Sequence, residues 1–127
     1  MRRRVLALCV LLALPAPTLA AEVDVVAVEV IDAVPRGPSV EDRLAEIRRR
    51  IQQALVYPAS ARQRGLTGVS ELEFVIGVGG LAEDVRLVDS SGHPILDEAA
   101  RRSVHTAGVL PRVYGRLRVP VRFDLRD

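Results

Sequence analysis

The sequence predicts an α+β fold, a small antiparallel sheet with two main helices packed on one face. Three patterns carry this. Leu117, Val119, Val121, Phe123 and Leu125 alternate with Arg116, Arg118, Arg122, Asp124 and Arg126, the period of a half-buried strand. Leu72, Phe74 and Ile76 alternate with Glu71 and Glu73, and after Gly79-Gly80 the buried face resumes at Val85 and Leu87, which reads as a hairpin. Leu44, Ile47, Ile51 and Leu55 recur at three- and four-residue spacing, the stripe of an amphipathic helix. The order strand, helix, strand, strand, helix, strand fits helices gathered on one side of the sheet.

The first 20 residues read as a secretory leader. Arg2, Arg3 and Arg4 form a positive start, Val5 to Leu14 is apolar, and Thr18-Leu19-Ala20 offers small residues for cleavage after Ala20. The uncharged stretch from Val5 to Ala21 is interrupted by Pro15 and Pro17 and falls short of the roughly 20 apolar residues of a spanning helix, so an uncleaved anchor is the less favoured reading. Cys9 lacks the small preceding residue and complete upstream apolar run of a lipoprotein site. The expected organisation is a leader over 1–20, an extension with a strand signal over 21–38, and one domain over 39–127.

Within the extension, Val23, Val25, Val26, Val28 and Val30 suggest a strand, ended by Pro35-Arg36-Gly37-Pro38. Ser39 is positioned to cap a helix over 40–55, with Glu41 and Asp42 in its first turn. Arg48, Arg49, Arg50 and Gln52 are expected mostly to face water. Pro58 can start a short further turn ending at Gly65. After the hairpin, Leu96, Ala99, Ala100, Ser103, Val104 and Ala107 give a helical stripe of small side chains, suited to lie close to a sheet.

The final strand contains Pro120, which has no N–H and so belongs at an edge or a bulge. If Pro120 faces the open side, so do the backbone groups of Arg118 and Arg122, while the odd-numbered residues pair inward. The last strand is therefore expected to be an edge, which is either a liability or a docking site. Its arginines would face an acidic partner segment or pair with Glu71 and Glu73 across the sheet's outer face.

Tyr57-Pro58, Gly65-Leu66-Thr67-Gly68, Gly79-Gly80, Ser90-Ser91-Gly92, Leu96-Asp97-Glu98-Ala99-Ala100 and Val119-Pro120-Val121 occur in an order and spacing that resembles the C-terminal periplasmic domain of the TonB family, over most of residues 44 to 126. Gly79 stands where that family often has an acidic or amide residue. The resemblance implies a TonB C-terminal-domain-like fold and a periplasmic role in TonB-dependent transport. It implies binding of the extended TonB box of an outer-membrane receptor by strand addition. The peptide-contacting residues it implies are Leu55, Val56, Arg116, Arg118, Val119, Pro120, Val121, Arg122, Phe123 and Asp124. Two parts of a full transducer are not evident. Val5 to Leu14 holds no ionisable residue, and residues 21–38, with two prolines, would reach only about 60 Å when extended. The expectation is a stand-alone TonB-like domain acting as an accessory, competitor or adaptor. The valine-rich segment raises a further possibility: it could add to the free edge in the same chain, blocking the site, or in a neighbour, making a homodimer. A structural or assembly protein using the same edge for self-association is the alternative class.

Other chemistry is disfavoured. The whole chain has 18 basic and 16 acidic residues, and the leader takes three of the 18, leaving 15 against 16. The basic pI thus belongs to the leader and does not point to nucleic acid. Two Tyr and two Phe give little scope for base stacking. Ser90, Ser91, Asp97 and His105 contain the ingredients of a hydrolase triad, but no nucleophile-elbow motif surrounds either serine, so no enzyme activity is expected. His93 and His105 are too sparse for a metal site, Gly77-Val78-Gly79-Gly80 lies between strands rather than ahead of a helix, and no cofactor is expected.

Overall fold

The computed structural model describes residues 20–31 and 38–126. Residues 1–19 of the expected leader and 35–37 of the expected break at 35–38 lie outside them, while Ala20 already belongs to the first strand and Pro38 to the first helix. The elements are β1 (Ala20–Val25), β2 (Glu29–Val30), α1 (Pro38–Ala54), α2 (Ala59–Gln63), β3 (Gly68–Ile76), β4 (Ala82–Asp89), α3 (Pro94–Thr106) and β5 (Leu117–Arg126). All strand pairings are antiparallel, in the order β1-β5-β3-β4, with β2 continuing β1's side of β5. The α+β expectation therefore holds, with both main helices over one face of the sheet.

Local sequence explains most of these elements. Ile47 and Ile51 of α1 are fully buried at four-residue spacing, and Leu55 follows just past the helix. The helix begins at Pro38, which places Ser39 inside its first turn rather than at the cap. In α3 the stripe Leu96, Ala99, Ala100, Ser103 and Val104 is buried, and its small side chains let the helix rest against β3 and β4. Leu72 and Phe74 of β3 meet Leu117, Val119, Val121 and Phe123 of β5 in the core, all shielded from solvent. At the β3–β4 hairpin, Gly80 N–H donates to the Gly77 carbonyl and Gly77 N–H to the Leu81 carbonyl, each at 2.9 Å. Of the glycine pair only Gly80 takes a positive φ, +83°. It also faces the loop after α3, whose Leu110 N–H donates to the Gly80 carbonyl at 2.8 Å.

Gly68 begins β3 against the turn that precedes α3. A Cβ there would lie 2.6 Å from the Ser91 carbonyl oxygen and 2.9 Å from Ser91 Cβ. Backbone cannot yield as a flexible side-chain tip would. Gly68→Ala should therefore cost about 2 kcal/mol in chemical denaturation. A loss below about 0.5 kcal/mol, within the range of ordinary surface changes, would mean that the turn moves freely.

Candidate functional site

β5 is the strand on which the functional expectation rests, and it is not an edge. β3 pairs with it from Gly68↔Phe123 to Phe74↔Leu117. On its other side β1 pairs from Ala20↔Arg126 to Val25↔Val121, and β2 pairs Glu29 with Arg118 and Val30 with Leu117. The expectation of free backbone groups along Arg116 to Leu125 is corrected accordingly. Its directional part agrees with the structure. The Pro120 carbonyl accepts from Val26 N–H, and the Arg116 carbonyl from Ile31 N–H, each at 3.0 Å, so even-numbered backbone groups do point away from β3. The valine-rich extension, weighed above as a possible cover, occupies that side in the same chain, so β5 offers no open edge for a homodimer.

The cover is interrupted where Pro120 lies. Between Val25↔Val121 and Glu29↔Arg118, three residues (26–28) stand against two (119 and 120). This is a bulge. Pro120 can accept at its carbonyl but has no N–H to return, so the ladder breaks there and resumes one residue out of step.

The outer edge of β1 is closed by helix α1. Val25 N–H donates to Gln52 Oε1 and Gln52 Nε2 donates to the Val23 carbonyl, both at 2.7 Å. Arg48 Nε donates to the Val25 carbonyl at 2.6 Å, and Arg48 Nη2 reaches Asp24 Oδ1 at 3.2 Å. The Gln52 amide thus makes the bonds that the peptide group of a further strand would make. Arg48 is exposed, as expected, while its guanidinium also holds β1; Gln52 is half-buried against the strand, which corrects the expectation that it mostly faces water. Arg49 and Arg50 instead both hold Glu46, whose carboxyl is brought down to about 2 by hydrogen bonds from Arg49 and then Arg50. Arg50 also donates to the Val109 carbonyl.

The sheet's outer face pairs its own charges. Arg118 bonds Glu73 at 3.0 Å, the cross-strand pairing weighed above, and Arg116 bonds Asp84 at 2.5 Å. Arg126 bridges Asp124 at 3.0 Å and Glu22 of β1 at 3.2 Å. Val119, Val121 and Phe123 point into the core, while Pro120, Arg122 and Asp124 are on the other face. Leu55 is buried, and Val56 is exposed in a shallow cleft with Ala54, Pro58, Ala99 and Arg102 on the helical side. The structure gathers the β5 residues of the expected site, places Leu55 in the shared core and leaves Val56 exposed beside Tyr57, whose ring meets Phe123.

A sequence model of the Gram-negative bacterial TonB protein C-terminal region matches residues 53–126. The chain belongs to the TonB C-terminal family. Among similar proteins, Neisseria gonorrhoeae protein TonB is 33% identical over 69 residues, 54% of this chain and 24% of that protein. Pseudomonas putida protein TonB is 36% identical over 56 residues, 44% of this chain and 23% of that protein. The match thus spans about a quarter of the length of those relatives. The solution structure of the Helicobacter pylori TonB-CTD superposes with a TM-score of 0.61 at 27% identity, covering 68% of this chain and 83% of that one.

The TonB-family motifs have structural roles here. Tyr57 donates from its hydroxyl to the Leu66 carbonyl and meets Phe123 edge-on, ring centroids 5.4 Å apart. Asp97 of the Leu-Asp-x-Ala-Ala motif is buried and accepts from Ser70 Oγ, Ser91 Oγ and Ser91 N–H, each at 2.8 Å, and from Ser90 Oγ. Burial pushes its carboxyl up, and these hydrogen bonds outweigh that and hold it below the ordinary value. The serines are thereby fixed as donors in a packing junction, and His105 is exposed on α3. No helix among the described residues is long and apolar enough to cross a membrane.

Proposed function

We propose that this chain is a periplasmic TonB-like module of TonB-dependent transport, which takes an extended segment of an outer-membrane receptor as an added antiparallel strand along β5. The observation that carries this reading is the origin of the strand already there. The matched family region starts at residue 53, so β1 and β2 lie outside it. Within that region β5 has one neighbour, β3. Its outward backbone groups accept an extended segment from elsewhere, and strand addition of this kind draws affinity from main-chain bonds that depend little on sequence. The proposed contacts are the outward groups of Arg116, Arg118, Pro120, Arg122 and Asp124. Self-association through the sheet's β1 side is disfavoured, because Gln52 and Arg48 occupy that edge.

The test is a titration of the full chain, leader processed, with synthetic peptides from receptor N-terminal segments, followed by amide NMR. Saturable shifts at Arg118, Arg122 and Asp124 are expected. Saturable binding with shifts only on β4 or the helices would move the site elsewhere, and the lack of any binding across a receptor panel would end the transport reading.

A further inference from the structure

We infer that residues 20–30 form an in-chain ligand of the β5 edge, latched by Gln52 and Arg48, and that the segment which replaces it is an extended peptide alternating acidic with β-branched residues. The inference deepens the proposed function and rests on strand addition at β5.

The latch follows from where β1's unpaired groups go. In an antiparallel strand alternate residues direct both backbone groups to the same side. β1 bonds β5 through its even-numbered residues, as the register and the Val26–Pro120 bond require. The outward groups of Val23 and Val25 would otherwise be an open edge. Gln52 and Arg48 bond three of these groups, the Val23 carbonyl and both groups of Val25, reaching back from a helix 23 to 29 residues further along the chain. An incoming strand cannot use that stretch of β1 without displacing these side chains, so β5 is the acceptor only when β1 leaves.

Several features make departure feasible. The segment is split by the bulge at Pro120, and β2 is only two residues long. Val25 and Val28 are its buried side chains, whereas Ala21, Val23 and Val30 are only partly buried. By contrast β5 places four fully buried residues in the core. Being tethered, the segment competes at an effective concentration of order millimolar, which a free peptide must overcome. Apparent affinity is then the intrinsic one scaled by the fraction of molecules with β5 uncovered.

The occupant also describes its replacement. On the outward face Glu22 and Asp24 lie among Arg126, Arg122 and Arg48. On the inward face Val23 and Val25 meet the core opposite Phe123 and Val121. A segment reading acid, valine, acid, valine satisfies both.

The experiment uses the same leader-processed chain, which has no cysteine of its own, carrying Glu22→Cys and Asp124→Cys, which are register partners. Hydrogen-bonded antiparallel partners lie about 5.5 Å apart at Cα, within disulfide range. The probes are a synthetic peptide of residues 20–31, its Glu22→Lys, Asp24→Lys version, and receptor N-terminal peptides. The reduced protein should bind the first peptide and the oxidised protein should lose binding at least tenfold, with recovery on reduction. Gln52→Leu with Arg48→Leu should speed amide exchange at Glu22, Asp24 and Val26 at least tenfold, because the cover opens more often. Arg48→Ala alone, a milder change, should move exchange the same way if the double variant fails to fold. The lysine peptide should bind at least fivefold weaker. Equal binding by the oxidised and reduced forms, or unchanged exchange of these amides in the latch variants, overturns the inference and leaves receptor binding elsewhere on the sheet to be read from the receptor peptides. Binding of the 20–31 peptide with no receptor peptide bound leaves the in-chain ligand standing and removes the transport reading.

Discussion

Asp97→Ala is expected to be among the most damaging single substitutions in the chain. The carboxylate, on α3, accepts four hydrogen bonds from two other segments: Ser70 on β3, and Ser90 and Ser91 in the turn after β4. Ser70 is fully buried, and alanine would leave its hydroxyl without this acceptor. Hydrogen bonds to a charged group contribute about 1.5–3 kcal/mol each, and leaving buried donors unmade adds a desolvation cost. The bonds share one acceptor and do not add, so a loss of about 3–4 kcal/mol is the reasonable expectation. For a domain of this size that lowers Tm by about 15 °C. Asp97→Asn keeps the shape and one carbonyl oxygen, and Ser90 can turn its hydroxyl to accept from the new amide. Its cost should be about half as large. Equal costs for the two variants would show that packing, not charge-assisted bonding, is what Asp97 supplies.

The same group fixes the sign of one pH dependence. Its folded pKa lies below the ordinary carboxylate value. Its contribution is therefore complete above the unfolded value, about 4, and is lost as pH falls through the folded one. Denaturant midpoints of the native protein and Asp97→Asn should converge as pH falls below about 4. A gap that stays constant down to pH 2 would contradict the charge-based account.

Which parts of this molecule were legible in its sequence follows from how local each signal is. Ile47, Ile51 and Leu55, or the alternation from Leu117 to Leu125, report which face a residue takes, because that depends only on neighbours along the chain. They do not report which strand lies alongside. The valines of residues 23–30 thus announced a strand without announcing that β5 was its partner. Pro120 was informative about direction, since its missing N–H does face away from β3, but a bulge tolerates proline as well as an open edge does. Gln52 and Arg48 look like ordinary solvated helix positions, and their role arises only from carbonyl and N–H groups brought in from Val23 and Val25. Asp97 gave a first-turn charge signal that was real and incomplete, because three of its donors come from Ser70 and Ser91, far apart in sequence. Val56 enters the expected site through family likeness alone, since an exposed valine beside a proline carries no local signal of what it meets.

Phe123→Ala should cost about 3–5 kcal/mol, the range for truncating a buried aromatic. The ring is shielded from solvent and meets Tyr57 edge-on, and Val23 of β1 lies directly opposite in the register. Because β1 bonds β5 through even-numbered residues, Val23 and Phe123 form a non-hydrogen-bonded pair, whose side chains approach closely. Phe123 is thus shared between the core and the in-chain ligand. Phe123→Leu keeps most of the buried area and loses the edge-on aromatic contact, so it should cost about 1–2 kcal/mol and leave the chain folded. Native-state hydrogen exchange on that variant separates two arrangements. If β1 opens independently, the amides of Glu22, Asp24 and Val26 exchange through an opening well below the global unfolding free energy, and the leucine variant lowers it further relative to β3. If β1 and β3 amides exchange through the same opening and shift together, the segment and the domain are one cooperative unit. A peptide could then reach β5 only by unfolding its host.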